Sequence, residues 1–262
     1  HNMLREGDLN EISDGRLYTL NDLVRADCQD CTGCSACCRG MGNSIVLTPY
    51  DVCLLTNNLS CSFEQLITGR VELSVIDGLI LPSLKMTGDM EQCSFLDENG
   101  RCSIHSFMPG ICRLFPLGRI YDENGFKYFL QTGECLNNHR TKIKVEKWLD
   151  TPDIEKNERF IWEWHELLKK LRNATKADPD YESAKKRNIM LLQIFYFTPY
   201  SIEAFYSQIE ERMEMPYLLR KTRGGKGLLQ PDTAIHQHAS AQLILFRLPR
   251  HGYEFCDHAM KK

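Results

Sequence analysis

A cysteine-rich segment of the chain reads Cys28-Gln29-Asp30-Cys31-Thr32-Gly33-Cys34-Ser35-Ala36-Cys37-Cys38-Arg39. Five cysteines fall within eleven residues, four of them at a spacing of three and the fifth directly behind. Thiolates are soft metal ligands, and at this density they repel one another unless a cation lies between them. A regular helix would spread them over half of its circumference, because each step of three residues turns the side chain by roughly 60°. The segment therefore predicts a loop wound around a metal ion or cluster.

The composition limits the class of protein and the cellular compartment in which we expect these cysteines. The 262 residues have a net charge of −3, which argues against a general nucleic-acid-binding protein. No apolar run reaches the length of a membrane span, and residues 1–21 lack the apolar core of a signal peptide. We therefore expect a cytoplasmic location without membrane binding. Cytoplasmic thiols stay reduced, so the twelve cysteines favour metal binding over a disulfide framework.

The first third of the chain predicts short elements around the cysteine loop. Apolar residues over Glu11–Ala26 predict one or two short helices, and residues 44–47 predict a small strand. Thr48-Pro49-Tyr50-Asp51 is a helix start, with a capping residue, a first-turn proline and an acidic side chain. Ser62-x-x-Gln65 is a capping box that starts a second helix.

Three turn dipeptides predict a small antiparallel β region in the middle of the chain. They are Asp77-Gly78, Asn99-Gly100 and Asn124-Gly125, each of the type that closes a two-residue hairpin. Cys93 and Cys102 flank the second turn, and Cys112 and Cys135 flank the third. We expect the downstream cysteines at the edges of these hairpins.

From Thr151 the pattern becomes helical. An apolar stripe over residues 154–171 predicts a long helix, residues 181–197 predict a second, and Ser201 is predicted to cap a third. The expected fold is α+β, in which a small cysteine-rich metal-binding domain with antiparallel β-hairpins carries a packed helical C-terminal region. The predicted division is 1–145 for the metal-binding domain, 146–222 for the helical region and 223–262 for a tail of unclear structure.

A second cysteine set lies in Cys93–His105, Pro109–Leu117 and Gly133-Glu134-Cys135, and includes Cys-Arg-Leu-Phe-Pro at residues 112–116. Together with Cys31-x-x-Cys34-x-x-Cys37-Cys38-Arg39, it resembles the YkgJ-type cysteine cluster family, described as zinc- or iron-chelating. The resemblance covers roughly residues 25–140. It implies eight cysteines as ligands: Cys31, Cys34, Cys37, Cys38, Cys93, Cys102, Cys112 and Cys135.

The chain departs from the family pattern in two places. Met108 precedes Pro109 where the family usually has Arg, and His105 stands where Tyr is common. The first change removes a cation, and the second offers a nitrogen ligand. Cys28 is an additional cysteine that is able to replace one of the eight, so the participation of Cys28 and His105 stays open at this point.

The ligand spacing favours an iron–sulfur cluster over zinc. Zinc sites commonly use two Cys knuckles far apart in sequence and often include His, whereas three successive two-residue gaps come closer to a ferredoxin run. Arg39 and Arg113 each follow a cysteine directly, where a cation stabilises a negatively charged cluster. One or two 4Fe-4S clusters are expected, with zinc as the alternative.

Three functions follow from these expectations. The first is an iron–sulfur protein for redox or electron transfer, with an unidentified redox or protein partner. The second is a metal-cluster-dependent enzyme, because a flagellin lysine methylase is a distant relative with a similar cysteine cluster. The third is a zinc-stabilised interaction module, in which the metal contributes folding free energy alone.

The tail carries a weaker signal. Residues 241–248 predict a strand or a helix, and His236, His238, Cys256 and His258 would suit a separate zinc site. Such pairs arise often by chance, and a solvated tail is the simpler interpretation.

Overall fold

The computed structural model of the protein describes residues 4–5, 9–28, 34–137, 139–178, 180–214 and 242–244. The helices within them are α1 (Leu9–Ile12), α2 (Pro49–Leu59), α3 (Phe63–Gly69), α4 (Gly110–Leu114), α5 (Val145–Leu149), α6 (Ile154–Ala177), α7 (Tyr181–Leu192) and α8 (Phe205–Met213). The strands are β1 (Leu4–Arg5), β2 (Leu23–Asp27), β3 (Val71–Ile76), β4 (Leu79–Leu84), β5 (Met86–Thr87), β6 (Gln92–Cys93), β7 (Leu117–Asp122), β8 (Gly125–Leu130), β9 (Thr141–Lys144) and β10 (Gln242–Ile244). The predicted α+β fold is confirmed.

The strands form small antiparallel groups. One sheet has the order β1-β10-β7-β8, and β2–β9, β3–β4 and β5–β6 form two-stranded pairs. The predicted turns at Asp77-Gly78 and Asn124-Gly125 close the β3–β4 and β7–β8 hairpins. The Asn99-Gly100 turn lies in a shorter loop that is held by a single bridge between Leu96 and Cys102. The antiparallel β region is thus confirmed, although its middle turn joins no pair of strands.

Helices α2 and α3 begin where their capping residues predict. The Thr48 hydroxyl accepts a hydrogen bond from the Asp51 backbone N–H at 3.2 Å, while the Asp51 carboxylate accepts one from the Thr48 N–H at 2.7 Å. Ser62 and Gln65 form the same reciprocal pair at 3.3 and 2.8 Å. Each capping box satisfies two backbone N–H groups that have no partner within a helix.

The predicted helix over residues 11–26 is wrong. The chain instead makes the single turn α1 and then strand β2, which pairs with β9 so that Val24 lies opposite Ile143. Val24 and Ala26 are buried while Leu23 is 58% exposed, and this alternation is the period of a strand. The apolar spacing was compatible with a helix, but pairing with a strand far downstream outweighed it. Strand β2 thereby carries Cys28 to the edge of the cysteine region.

The helical half follows the predicted order with one shifted boundary. Helix α6 covers the predicted stripe, and the predicted second helix consists of α7 followed by a π-helical segment at Gln193–Phe197. The third helix, α8, begins at Phe205, and Ser201 does not cap it, because the Ser201 hydroxyl donates to Glu203 at 2.6 Å instead. None of the helices in the described residues combines the length and the apolar character that a bilayer crossing requires.

The main hydrophobic core joins these helices to the cysteine region. The ring of Trp164 on α6 contacts Phe195 at a centroid distance of 5.0 Å, and Phe205 on α8 contacts Tyr50 on α2 at 4.9 Å. Cys93 belongs to the same buried cluster. A smaller core lies where β2, β7, β8 and α5 meet. The helices therefore form one wall of the unit that positions the thiols.

Replacing Gly118 by alanine is expected to destabilise the β7–β8 hairpin. Gly118 lies opposite Phe129, and a Cβ at residue 118 would overlap the fully buried Phe129 ring. Overpacking of this kind costs about 1–3 kcal/mol in the free energy of unfolding. Gly69→Ala is the control, because its Cβ would meet no atom within 4 Å. Urea unfolding of both variants measures the difference, and equal stability would contradict the prediction.

Candidate metal centre

The described part of the cysteine loop, residues 34–39, is held against the β5–β6 pair. Residues Ala36–Cys38 form a 3₁₀ turn, and Arg39 makes an antiparallel bridge with Gln92. The backbone N–H of Gly40 donates to the carbonyl of Glu91 at 2.9 Å. This short pairing places Cys38 beside Cys93, the residue that follows Gln92. Cys31 lies outside the described residues.

Cys102 is brought to Cys93 by the loop between them. The Ser103 N–H donates to the Phe95 carbonyl at 2.9 Å, and the Asp97 N–H donates to the Arg101 carbonyl at 2.8 Å. The Asp97 carboxylate accepts from the Arg101 N–H at 2.8 Å and fixes the turn. The loop therefore folds back on itself, so that Cys102 lies near Cys93.

Cys112 is positioned by a carboxylate far away in sequence. It lies on α4, whose first residue, Gly110, donates its backbone N–H to Asp51 Oδ1 at 2.7 Å. Asp51 is 2% exposed and also completes the capping box of α2. One buried side chain thus joins the starts of two helices and sets the position of Cys112. The sequence marks Asp51 as a capping residue, but no sequence signal indicates its bond to Gly110.

Six cysteines line one cavity of about 420 Å³. They come from the loop and from the downstream set: Cys34, Cys37, Cys38, Cys93, Cys102 and Cys112. His105, on the 3₁₀ turn His105–Phe107, lines the same cavity and is half-buried. The structure therefore brings together six of the eight cysteines that the family resemblance implies, from two distant parts of the chain.

The thiols of this cavity act on one another electrostatically. Burial raises the pKa of Cys93 to about 11, and the neighbouring Cys38 and Cys102 add to the rise. Burial likewise raises the pKa of Cys102, and it raises that of Cys112 well above the usual value, with Cys38 contributing in both cases. Cys38 differs, because a hydrogen bond with Cys37 and the charge of Arg39 lower its pKa. Cys38 is thus the common neighbour of the other three.

Two arginines follow ligand candidates directly, as the sequence showed, but their surroundings differ. Arg39 Nε donates to the Ser35 hydroxyl at 3.3 Å, while Arg39 Nη1 is buried and has no hydrogen-bond partner in the part of the chain that the structure describes. Arg113 pairs with Asp150 at 3.6 Å and donates to the Ser106 carbonyl at 3.0 Å. Arg39 therefore has a buried donor without a partner among the described residues, whereas Arg113 lines the cavity and pairs with Asp150.

A second, smaller cavity of about 20 Å³ lies on the other side of the 3₁₀ turn. Cys34 and Cys37 line both cavities. Cys28 and Cys135 line the smaller cavity and not the larger one. The Asn137 side chain donates to the Cys28 carbonyl at 3.3 Å and ties the two segments together. Cys135, the seventh predicted ligand with a described position, therefore lies in this cavity and does not line the large one.

The remaining candidates lie elsewhere. Cys53 is buried in the core on α2, and Cys61 is half-buried beyond its end, so neither lines a cavity described above. No disulfide joins cysteines within the described ranges. His236, His238, Cys256 and His258 of the tail lie outside them. Strand β10 falls within the tail segment that was predicted as a strand or a helix.

The described donor side chains are not gathered around one point. A tetrahedral zinc site with Zn–S bonds of about 2.3 Å brings its sulfurs to roughly 3.8 Å from one another. In the described residues, no three His, Cys, Asp or Glu side chains are placed so that they could hold one metal ion. The six described thiols instead line a cavity.

The comparison with protein families bears directly on these thiols. Residues 30–147 match the CxxCxxCC family, described as a "Putative zinc- or iron-chelating domain". The matched segment is less than half of the chain, and it contains the eight cysteines named above. No curated protein and no solved structure matches the chain. The CxxCxxCC segment supports binding of zinc or iron through cysteines, as the sequence predicted.

Proposed function

We propose that the protein binds an iron–sulfur cluster through its cysteines and acts in redox or electron transfer. The observation that carries the proposal is the cavity of about 420 Å³ lined by six cysteines. Cys38, Cys93, Cys102 and Cys112 are its four proposed ligands, because they line the same cavity and the first three all raise the pKa of Cys112. Cys31, Cys34, Cys37 and Cys135 complete the proposed set of eight.

The size of the cavity supports a cluster over a single zinc ion. Four sulfurs that share one ion at about 2.3 Å enclose almost no further volume. A four-iron cluster also contains bridging sulfides, so it requires a wider space between its ligands. A bound cluster would accept and release single electrons.

The surrounding protein offers groups that would tune such a centre. The backbone N–H of Phe95 donates to the Cys93 thiol, and that of Ile104 donates to the Cys102 thiol. Hydrogen bonds to cluster sulfurs stabilise the more negative, reduced state and therefore raise the reduction potential. The buried Nη1 of Arg39 would add to the same stabilisation. Ile104 and Cys93 are largely shielded from water, which limits solvent access.

Metal analysis of anaerobically purified protein tests the proposal. We expect a brown protein with about four iron and four acid-labile sulfide atoms per chain for one cluster. Reduction with dithionite should bleach the visible absorbance and produce an electron paramagnetic resonance signal. A colourless protein that contains zinc and no iron would contradict the proposal and support the zinc-stabilised module.

A cluster-dependent enzyme is the second candidate, and the volume of the cavity favours it. A space of about 420 Å³ falls within the range of about 300–1,000 Å³ that small-molecule sites occupy. Catalysis at a metal requires an open coordination position. A bound cluster that only three cysteines coordinate, with its fourth position open to an added small molecule, would favour the enzyme. The redox partner and the cytoplasmic location remain part of the proposal.

A further inference from the structure

We infer that the large cavity contains a binding site for a small aromatic anion, in which Arg113, Lys147 and Trp148 hold a ligand that carries a carboxylate or a phosphate. This ligand site rests on the proposed function, because it shares its cavity with the proposed cluster. It gives the second candidate, the cluster-dependent enzyme, a class of substrate. None of the three residues is a proposed ligand of the metal.

The lining of the large cavity has two chemically different parts. One part consists of the six cysteines, which come from residues 34–38, 93, 102 and 112. Another part comes from residues 143–150, a segment that includes α5 and contains no cysteine. From this segment, Ile143, Lys147, Trp148 and Asp150 line the cavity. The cavity therefore has a surface that metal binding by cysteines does not require, and a small molecule is the occupant that would use it.

The charged residues of the lining favour a negatively charged ligand. Arg101, Arg113 and Lys147 line the cavity together with two carboxylates, those of Asp27 and Asp150. Within the part of the chain that the structure describes, Arg101 and Lys147 form no ion pair. The side chain of Asp150 is 86% exposed, so solvent weakens its pairing with Arg113. Positive charge therefore remains in the lining to attract an anion.

Arg113 is fixed in a position that suits it to bind that anion. Its side chain is 13% exposed, and its Nη2 donates to the Ser106 carbonyl at 3.0 Å. Its Nη1 lies 3.6 Å from the carboxylate of Asp150. A guanidinium has five N–H donors in a rigid fork, so these two contacts leave donors that no described residue accepts. The fork matches the two oxygens of a carboxylate or a phosphate.

Trp148 adds a flat apolar surface to the same lining. Its indole N–H donates to the Leu114 carbonyl at 3.4 Å, on the helix that also carries Arg113. This bond uses the only donor of the half-buried indole, so the part that Trp148 offers to a ligand is the face of its ring. Aromatic rings stack on such a face. Lys147, the preceding residue of α5, supplies the charge, so the two residues suit the two ends of an aromatic anion.

Isothermal titration calorimetry of the full-length protein with phenyl phosphate and with benzoate tests the inference. We expect at least one of these anions to bind, and the neutral benzyl alcohol and inorganic phosphate to bind at least about tenfold more weakly, because each lacks one half of the ligand. Lys147→Met should weaken binding of the anion about tenfold. The matched control is Lys142→Met, because Lys142 is exposed and does not line the cavity. Trp148→Leu should also weaken binding, and Trp148→Phe, which keeps an aromatic ring, should restore most of it.

Iron and sulfide analysis of the same samples separates this inference from the proposed function. Binding of neither anion, or an affinity that Lys147→Met leaves unchanged, would overturn the ligand site and leave the cluster untouched. Loss of iron in folded Lys147→Met protein would also overturn it, because the lysine would then balance the charge of the cluster. Wild-type protein without iron that binds an anion through Lys147 would reject the cluster and retain the ligand site. Thermal unfolding shows whether each variant is folded.

Discussion

Replacing Cys38 by serine is expected to remove the iron from the large cavity. Cys38 raises the pKa of Cys93, Cys102 and Cys112, and all four residues line the large cavity. A serine hydroxyl stays protonated at neutral pH and is a poor substitute for a thiolate. Loss of groups that merely support a ligand costs 10–100-fold in metal affinity, so loss of a ligand should cost at least ~10-fold. Iron content and visible absorbance measure the effect.

The control for this prediction is Cys61→Ser. Cys61 is half-buried, and burial raises its pKa without any contribution from another cysteine. This variant should retain iron, sulfide and colour at the level of the wild type. Full iron content in Cys38→Ser would show that the ligand set around the large cavity is wrong. Loss of iron in both variants would point to a general effect of thiol removal.

The second large effect is expected for Asp51→Ala, which should destabilise the fold and weaken metal binding together. Loss of the Asp51 half of the capping box leaves the Thr48 N–H without its acceptor and costs about 0.5–2 kcal/mol, and the Gly110 N–H left without an acceptor costs about 1–3 kcal/mol. We expect a total loss of about 1.5–5 kcal/mol in the free energy of unfolding. Helix α4 would lose its anchor, so iron content should fall with Cys112 displaced.

The variant Asp51→Asn separates the effect of the hydrogen bond to Gly110 from the effect of the negative charge of Asp51. Burial raises the pKa of Asp51, against hydrogen bonds from Gly110 and Thr48 that lower it, so its negative charge is itself costly inside the protein. The asparagine keeps one oxygen that can accept from Gly110. This variant should therefore lose less stability than Asp51→Ala and keep more iron. Equal losses in the two variants, measured by urea unfolding and iron analysis, would contradict the positioning role.

Local signals in the sequence predicted much of the fold. The capping boxes at Thr48 and Ser62 and the turns at Asp77 and Asn124 depend on neighbouring residues, so the sequence contains all that decides them. The long apolar stripe of α6 likewise needs only its own period. These elements formed where they were predicted.

Contacts between distant segments could not be predicted from local sequence signals. Strand β2 has apolar residues that also fit a helix, and only its pairing with β9 decided between the two. The bond from Gly110 to Asp51 joins residues that share no pattern in the sequence. The distribution of the cysteines over two cavities depends on both contacts. Spacing could therefore predict that the thiols bind metal, but it could not predict how they are grouped.

The 3₁₀ turn Ala36–Cys38 separates the two cavities and is only three residues long. Cys37 lines both spaces, and Cys38, the next residue, lines the large one alone. An insertion in this turn would rotate one thiol out of its cavity. The length of the turn should therefore be invariant among homologous chains.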